Sequence, residues 1–261
     1  MKIVDLALEN ADDSINLCIG SRPGFEAARE EKRRWLESLL PHGVSGKLAY
    51  FDGHLVGMLE YSPIEYAPFP VTGERLLHIN CIWVLPGYQR MNIGESLMRS
   101  FANEAMARGS AGLSVLADEG PFFMPATFFA HEGLRTIERR GHQELMWKEL
   151  GPCKPPSFMP VTFSPKKEES KVRVDVLCSA QCPWSIMTRQ RIEKVSREFS
   201  ESVKVRCIET SDRQAIAKLG ESRKVFVNGK ECFFIPPTED DIRKVFEIGV
   251  KALELEGRTP A

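Results

Sequence analysis

Residues 82–97, IWVLPGYQRMNIGESL, decide how the first half of the chain is interpreted. An apolar run, 76–85, leads into this loop, and an amphipathic segment follows it as far as Arg108. A strand that enters a tight loop and then a helix leaves several backbone N–H groups pointing the same way, at the positive end of the helix dipole. Such an arrangement can bind a pyrophosphate, but an ordinary turn with one glycine, Gly94, would contain the same residues. Both interpretations stay open at this point.

Length and composition limit the class of protein. The 261 residues suffice for one large domain or two smaller ones, and 43% apolar with 27% charged residues is typical of a globular chain. A net charge of -1 favours neither nucleic acid nor an anionic membrane as a partner. No apolar stretch is long enough to cross a bilayer, and the N-terminus lacks a signal-peptide core, so we expect a cytoplasmic protein without membrane contact.

The cysteines suggest little shared chemistry. They are odd in number, seven, and in a reducing compartment we expect most to be free thiols. Only Cys178 and Cys182 are close enough in sequence to act together. Paired CxxC motifs and His-rich tracts are absent from the sequence, so no metal site is predicted.

The chain is predicted to have two parts. Residues 151–170 carry five prolines and no clean period, which suits neither a helix nor a central strand. We interpret them as a linker between domains 1–150 and 171–261.

Each part alternates strands and helices. Strong hairpin turns are predicted at Asp52-Gly53 and at Asn228-Gly229. In the first part, residues 24–40 have the period of an amphipathic helix, with Trp35, Leu36, Leu39 and Leu40 facing inward. The order of elements predicts an α/β domain with a largely antiparallel sheet and flanking helices, followed by a smaller α/β domain.

At the loop, the chain resembles the GCN5-related N-acetyltransferase (GNAT) family. Gln89–Gly94 fits the pattern Gln/Arg-x-x-Gly-x-Gly/Ala, except that Asn92 replaces the first glycine. Asparagine tolerates the left-handed conformation better than most residues, so the turn can survive. The approach, 82–88, and FFAHEGL, 128–134, also match family segments. The resemblance covers roughly residues 1–150.

The resemblance implies that acetyl-CoA is the co-substrate and lies between two parallel strands that part. The backbone of the strand before the loop would pair with the pantetheine arm as an added strand would. The backbone N–H groups of the loop would bind the pyrophosphate. The cofactor-contacting residues it implies are Ile82, Trp83, Val84, Gln89, Arg90, Met91, Asn92, Ile93, Gly94, Glu95 and Phe129.

Acetyl transfer to an amine requires a neutral nucleophile, a polarised thioester and a proton for the leaving thiolate. Where family members often carry a glutamate base, this chain has His78, with Asn80 facing the same side of the strand. His78 could equally be a hydrogen-bonded strand histidine, and Glu60 and Tyr61 are alternative polar groups. The family's usual tyrosine acid is replaced by Phe129, which cannot donate a proton. The expected acceptor is a small-molecule or peptide amine.

The second part suggests an alternative function. Cys182-Pro183-Trp184-Ser185 resembles a single-thiol glutaredoxin or thioredoxin turn, and a thiol at a helix start can have a lowered pKa. Cys182 would then react, Cys178 would resolve, and the first domain would be a CoA-binding scaffold. The strand–helix–strand–helix–hairpin–helix order of this part also resembles a thioredoxin-like fold, although the proline that usually precedes the hairpin of that fold is missing. The two-part layout resembles that of YoaP-like acetyltransferases, and a non-catalytic binding protein is a third possibility.

Overall fold

The computed structural model describes residues 1–20, 23–121, 123–233 and 235–256. The chain divides into two units, Met1–Pro160 and Val161–Ala261. None of the helices in the described part of the chain combines the length and apolar character that a membrane span requires.

The first unit is built on a seven-stranded sheet with strand order β1-β2-β3-β5-β6-β8-β7. A two-stranded sheet, β4-β9, accompanies it. The strands are β1 Lys2–Asp5, β2 Ser45–Phe51, β3 His54–Pro63, β4 Val71–Thr72, β5 Leu76–Val84, β6 Gly112–Asp118, β7 Arg135–Arg140, β8 Gln143–Glu149 and β9 Ser157–Phe158.

Within the seven-stranded sheet only β5 and β6 run parallel; the other neighbours are antiparallel. The predicted hairpin at Asp52-Gly53 is present, with Phe51 opposite His54. Both turn residues have positive φ, 48° and 81°, as a tight two-residue hairpin requires. The predicted fold class, a largely antiparallel α/β sheet with flanking helices, is confirmed.

Among the described residues of this unit there are four α-helices: α1 Ala11–Ile19, α2 Glu26–Leu39, α3 Ile93–Ala107 and α4 Ala126–His131. An ion pair of 2.7 Å between Arg33 and Asp12 joins α2 to α1. In α2 the buried residues are Ala28, Lys32, Trp35 and Leu36. The prediction was right for Trp35 and Leu36, whereas Leu39 and Leu40 are only partly buried, and the burial of Lys32 was not predicted.

Side chains of β3 alternate between the two faces of the sheet. On one face Tyr61 packs against Phe101 of α3, with ring centroids 4.8 Å apart. On the same face a Cβ at Gly57 would lie 3.1 Å from Ile93, so the first turn of α3 sits directly on the sheet. On the other face Glu60 contacts Lys32 of α2. We call these the α3 face and the α2 face.

Part of the predicted linker belongs to the first unit. Within the stretch 151–160, Phe158 of β9 pairs with Val71 of β4 and is buried. The backbone N–H of Phe158 donates to Glu138 at 3.0 Å, and Arg140 donates to the carbonyl of Met159. The stretch is not helical, as its prolines predict, but apolar side chains between the prolines pack into the core of the first unit.

The second unit contains a four-stranded sheet of order β11-β10-β12-β13. β10 and β11 are parallel, and the other two pairs are antiparallel. The predicted hairpin at Asn228-Gly229 joins β12 and β13. The elements are β10 Val172–Cys178, α5 Pro183–Ser196, β11 Val203–Glu209, α6 Arg213–Leu219, β12 Val225–Val227, β13 Lys230–Cys232 and α7 Glu239–Glu256. Its thioredoxin-like character stays a prediction.

We expect Gly46→Ala to destabilise the first unit. A Cβ at this β2 position would lie 2.6 Å from the carbonyl oxygen of Leu59 on β3, which cannot move without breaking the ladder. The expected loss in the free energy of unfolding is about 2 kcal/mol. Gly151→Ala is the matched control, because nothing lies within 4 Å of its Cβ. Equal thermal unfolding of the two variants would contradict this packing.

Candidate active site

The two parallel strands at the centre of the first unit pair over only part of their length. Their register runs from Leu76 opposite Gly112 to Ile79 opposite Val115 and stops there. β5 continues to Val84 and β6 to Asp118. The strands therefore part after four residue pairs, and β5 from residue 80 onward is left without β6 as a neighbour. We call this gap the β5–β6 opening.

A β-bulge marks the start of the opening. On the side of β3, Ile79 is opposite Tyr61 and Cys81 is opposite Glu60, so Asn80 is the extra residue of β5. A bulge leaves its extra residue outside the ladder and re-aims the neighbouring side chains. Asn80 therefore lies where β5 loses regular pairing on both sides.

The loop between β5 and α3 has two residues in the left-handed region. Arg90 has φ 63° and Asn92, which caps α3, has φ 58°. The expectation that Asn92 supports the turn in place of a glycine is confirmed by its conformation. The side chain of Gln89 donates to the carbonyl of Val84 at 3.1 Å and ties the loop to the end of β5.

The first turn of α3 offers backbone donors. The first N–H groups of any helix lack intrahelical acceptors, and the Asn92 side chain does not cap them. A Cβ at Gly94 would lie 3.2 Å from the Phe128 ring of α4. Because Gly94 has no side chain, the backbone of α3 can lie close to the Phe128 ring.

Phe129, which the family resemblance predicts as a cofactor contact, lies in the core of the first unit. Its side chain is fully buried, since it forms the core side of the short helix α4. The partly exposed Phe128 contacts Gly94 instead, and the two rings meet edge-on at 5.2 Å. Phe129 therefore packs in the core of the first unit, and its contact with the cofactor stays a prediction.

Glu95 lies in the first turn of α3, among the predicted phosphate-binding residues. Burial raises the pKa of Glu132, and the nearby charge of Glu95 raises it further. Two carboxylates thus lie near each other beside the loop, with Lys148 and Arg99 close enough to offset part of their charge.

A row of buried polar side chains follows β5 on the α2 face. His78, Asn80, Ser62 and Ser114 each have 0% exposure. His78 Nδ1 lies 3.0 Å from the Ser114 hydroxyl of β6, and the Phe69 ring covers the imidazole at 5.2 Å. His78 belongs to the paired part of β5, so it lies below the opening and not at its edge.

The row continues through Asn80. The Ser62 hydroxyl donates to Asn80 Oδ1 at 2.9 Å, and Asn80 Nδ2 donates to Glu60 Oε1 at 3.4 Å. Glu60 Oε2 is ion-paired with Lys32, and the side chains of this pair are only 5% and 6% exposed. Sequence reasoning missed Lys32. The available signal was a lysine at the centre of an otherwise apolar helical stripe, Ala28, Lys32, Trp35 and Leu36.

Tyr61, the other predicted alternative, lies on the opposite face. Burial raises the pKa of its phenol strongly, and the nearby carboxylate of Glu104 adds to this effect. Its hydroxyl is therefore not a ready proton donor, and the structure does not bring it to the polar row.

The predicted thiol pair belongs to the second unit. Cys182 caps the N-terminus of α5 and is partly buried, whereas Cys178 at the end of β10 is fully buried. In the described part of the chain no disulfide joins them. The backbone carbonyl of Cys178 accepts from the N–H and the hydroxyl of Thr210, at 2.7 and 2.9 Å.

Comparison with known proteins agrees with this architecture. Residues 14–121 match the acetyltransferase (GNAT) family. The chain is 23% identical over 241 residues to the uncharacterized N-acetyltransferase YoaP of Bacillus subtilis (strain 168), covering 88% of this chain and 92% of that protein.

Two solved structures are similar to part of this chain. The PaiA N-acetyltransferase of Thermoplasma acidophilum in complex with coenzyme A is 16% identical, with a TM-score of 0.42 over 57% of this chain and 99% of that one. A GNAT-family acetyltransferase of Staphylococcus aureus Mu50 is 14% identical, with a TM-score of 0.46 over 57% and 98%.

The left-handed conformation of Asn92 makes a prediction about the loop. Asn92→Val should lower the free energy of unfolding by about 1–2 kcal/mol, because a β-branched side chain is strained at φ 58°. Asn92→Gly is the control and should be neutral or slightly stabilising, since glycine adopts this region readily. Thermal unfolding measures both, and a valine variant as stable as the glycine variant would contradict the conformation.

Proposed function

We propose that this GNAT-family acetyltransferase transfers the acetyl group of acetyl-CoA to the amine of a small molecule or peptide. Acetyl-CoA would supply an acyl group as a reactive thioester. The new bond forms between the amine nitrogen and the acyl carbon, the carbon–sulfur bond breaks, the amine proton goes to the proposed base His78, and CoA leaves as a thiolate that takes a proton from water. The observation that carries this proposal is the β5–β6 opening, which ends at the loop that begins α3.

The opening suits an extended ligand. Past residue 79, the edge of β5 at Ile82, Trp83 and Val84 does not pair with β6. An unpaired strand edge recognises an extended chain of amide groups through its own N–H and C=O groups. The pantetheine arm of CoA is such a chain, so these three residues would hold it by their backbone.

The loop suits the pyrophosphate. The N–H groups of residues 90–95 precede and open a 15-residue helix, whose dipole favours negative charge at this end. The two left-handed residues, Arg90 and Asn92, turn the backbone sharply, and Gly94 keeps side-chain bulk away. The exposed Arg90 side chain adds a positive charge, while Glu95 would oppose the phosphates.

The acceptor amine would approach on the α2 face, where the polar row lies. Asn80 is the member of that row at the start of the opening, so we assign to it the contact with the reacting groups. His78 remains the proposed proton acceptor, because histidine commonly serves as a general base and the Ser114 hydroxyl lies 3.0 Å from its Nδ1. Phe69, which covers His78, keeps water from it.

The thiol-based alternative gains no comparable support. It requires Cys178 to resolve a disulfide or adduct formed at Cys182. Cys178 is fully buried, and a buried thiol is usually unreactive and so a poor resolving nucleophile. We therefore give acetyl transfer preference over redox chemistry.

Titration calorimetry of the reduced protein with acetyl-CoA tests the proposal. We expect micromolar binding to the wild type and at least a tenfold weaker affinity for Gly94→Leu, which places a side chain between the loop and Phe128. Gly151→Leu is the control and should bind as the wild type does. A screen of primary amines with acetyl-CoA, with detection of released CoA thiol, would then identify the acceptor class.

Lack of binding at millimolar acetyl-CoA would contradict the proposal. Equal affinity of the wild type and Gly94→Leu would show instead that the loop is only a turn.

A further inference from the structure

The ion pair between Lys32 and Glu60 is the most deeply buried charged contact of the first unit's sheet. Both side chains are about 95% shielded, and the Lys32 ammonium also lies 4.3 Å from the Trp35 ring centroid. Taking two charges out of water is costly, and apolar residues of similar volume are often equally or more stabilising. The pair therefore calls for an explanation beyond stability.

A second buried lysine of the same sheet provides a comparison. Lys47 on β2 pairs with Asp5 and with Glu104 on the α3 face. Its carboxylate partners remain in contact with water, at 71% and 19% side-chain exposure. The ion pairs of Lys47 thus reach the solvent-exposed surface, whereas the ion pair of Lys32 and Glu60 is buried beside the polar row.

The hydrogen bonds of the row have a defined direction. Lys32 donates to Glu60, Asn80 donates to Glu60, and Ser62 donates to the carbonyl oxygen of Asn80. An ionised carboxylate can only accept hydrogen bonds, so the amide nitrogen of Asn80, and not its oxygen, is oriented toward Glu60. The Ser62 hydroxyl secures the opposite end. One N–H of Asn80 is used by Glu60, and the amide carries a second.

We propose that Lys32 and Glu60, together with Ser62, are positioning residues for acetyl transfer, which fix the amide of Asn80 so that its second N–H faces the β5–β6 opening. This role rests on the proposed function. There the N–H would donate to the acyl oxygen, where charge develops during transfer. Lys32 holds Glu60 in place and compensates its charge, so that the carboxylate neither rotates nor repels the thioester.

The first measurement is NMR of protein labelled with ¹⁵N at asparagine. The chain has six asparagines, and the side-chain pair of Asn80 is the one that Asn80→Ser removes. We expect acetyl-CoA to shift this pair at saturation. Saturation without a shift of the Asn80 pair would contradict the proposal, because its N–H would then not meet the acyl donor.

The second measurement uses Lys32→Met/Glu60→Leu, which replaces the pair by apolar side chains of similar volume and leaves no lone buried charge. We expect unchanged or higher thermal stability and an acetyl-CoA Kd within about twofold of wild type, because the loop is intact. With hydroxylamine as a minimal acceptor, kcat should fall about 100-fold, since small misplacement of a reacting group costs that much. A wild-type kcat would overturn the proposal.

Two further variants separate positioning from folding. Lys47→Met removes the comparison lysine and should leave kcat and the Asn80 signals unchanged. Ser62→Ala loses the other hydrogen bond to Asn80 without any change of charge, and should lower kcat about tenfold with Kd unchanged. If the double variant does not fold, Ser62→Ala still tests whether the orientation of Asn80 matters for kcat. Absence of acetyl-CoA binding by the wild type would contradict the proposed function itself, and this role would fall with it.

Discussion

The early end of pairing between β5 and β6 is the constraint on which the rest of the first unit depends. Two parallel strands share four residue pairs and then part, at a bulge on β5. Apart from the outer edges of β1 and β7, the other described strands of the sheet pair with antiparallel neighbours, so the opening leaves backbone groups for a ligand in the interior of the sheet. α3 packs on Gly57 beside the same opening, which places the turn of the loop at its end.

The two faces of the sheet carry different kinds of side chain. The α3 face packs aromatic and aliphatic side chains, and its charged residues reach solvent at the edge. The α2 face instead buries a connected polar row from Lys32 to Ser62, and a histidine under Phe69. A buried polar group without a hydrogen bond is costly, so the side chains of the row are restricted to one hydrogen-bonded arrangement. That rigidity is useful where an acyl group must be held in one orientation.

Several features of the fold and of the loop could be predicted from the sequence, because they depend on residues close together in the chain. The hairpin turns, the strand before the loop and the left-handed Asn92 follow from residue types and short spacings. The polar strand β7 has no apolar face to reveal it, and Phe158 could not be predicted to join a core formed by residues far away in the chain. Lys32 and Glu60 are 28 residues apart, and their contact depends on tertiary packing. Phe129 was assigned by alignment to a family pattern, and only the orientation of α4 shows that Phe128 faces the loop.

Hydrogen exchange of the backbone amides, with and without acetyl-CoA, tests the central claim most directly, because it reports on the strand edge itself. The account predicts that acetyl-CoA slows exchange in two segments of the first unit, residues 81–84 and 90–95, and leaves β2 and the second unit nearly unchanged. Protection that falls elsewhere, or exchange that is the same with and without saturating acetyl-CoA, would contradict the assignment of the β5–β6 opening as the binding site.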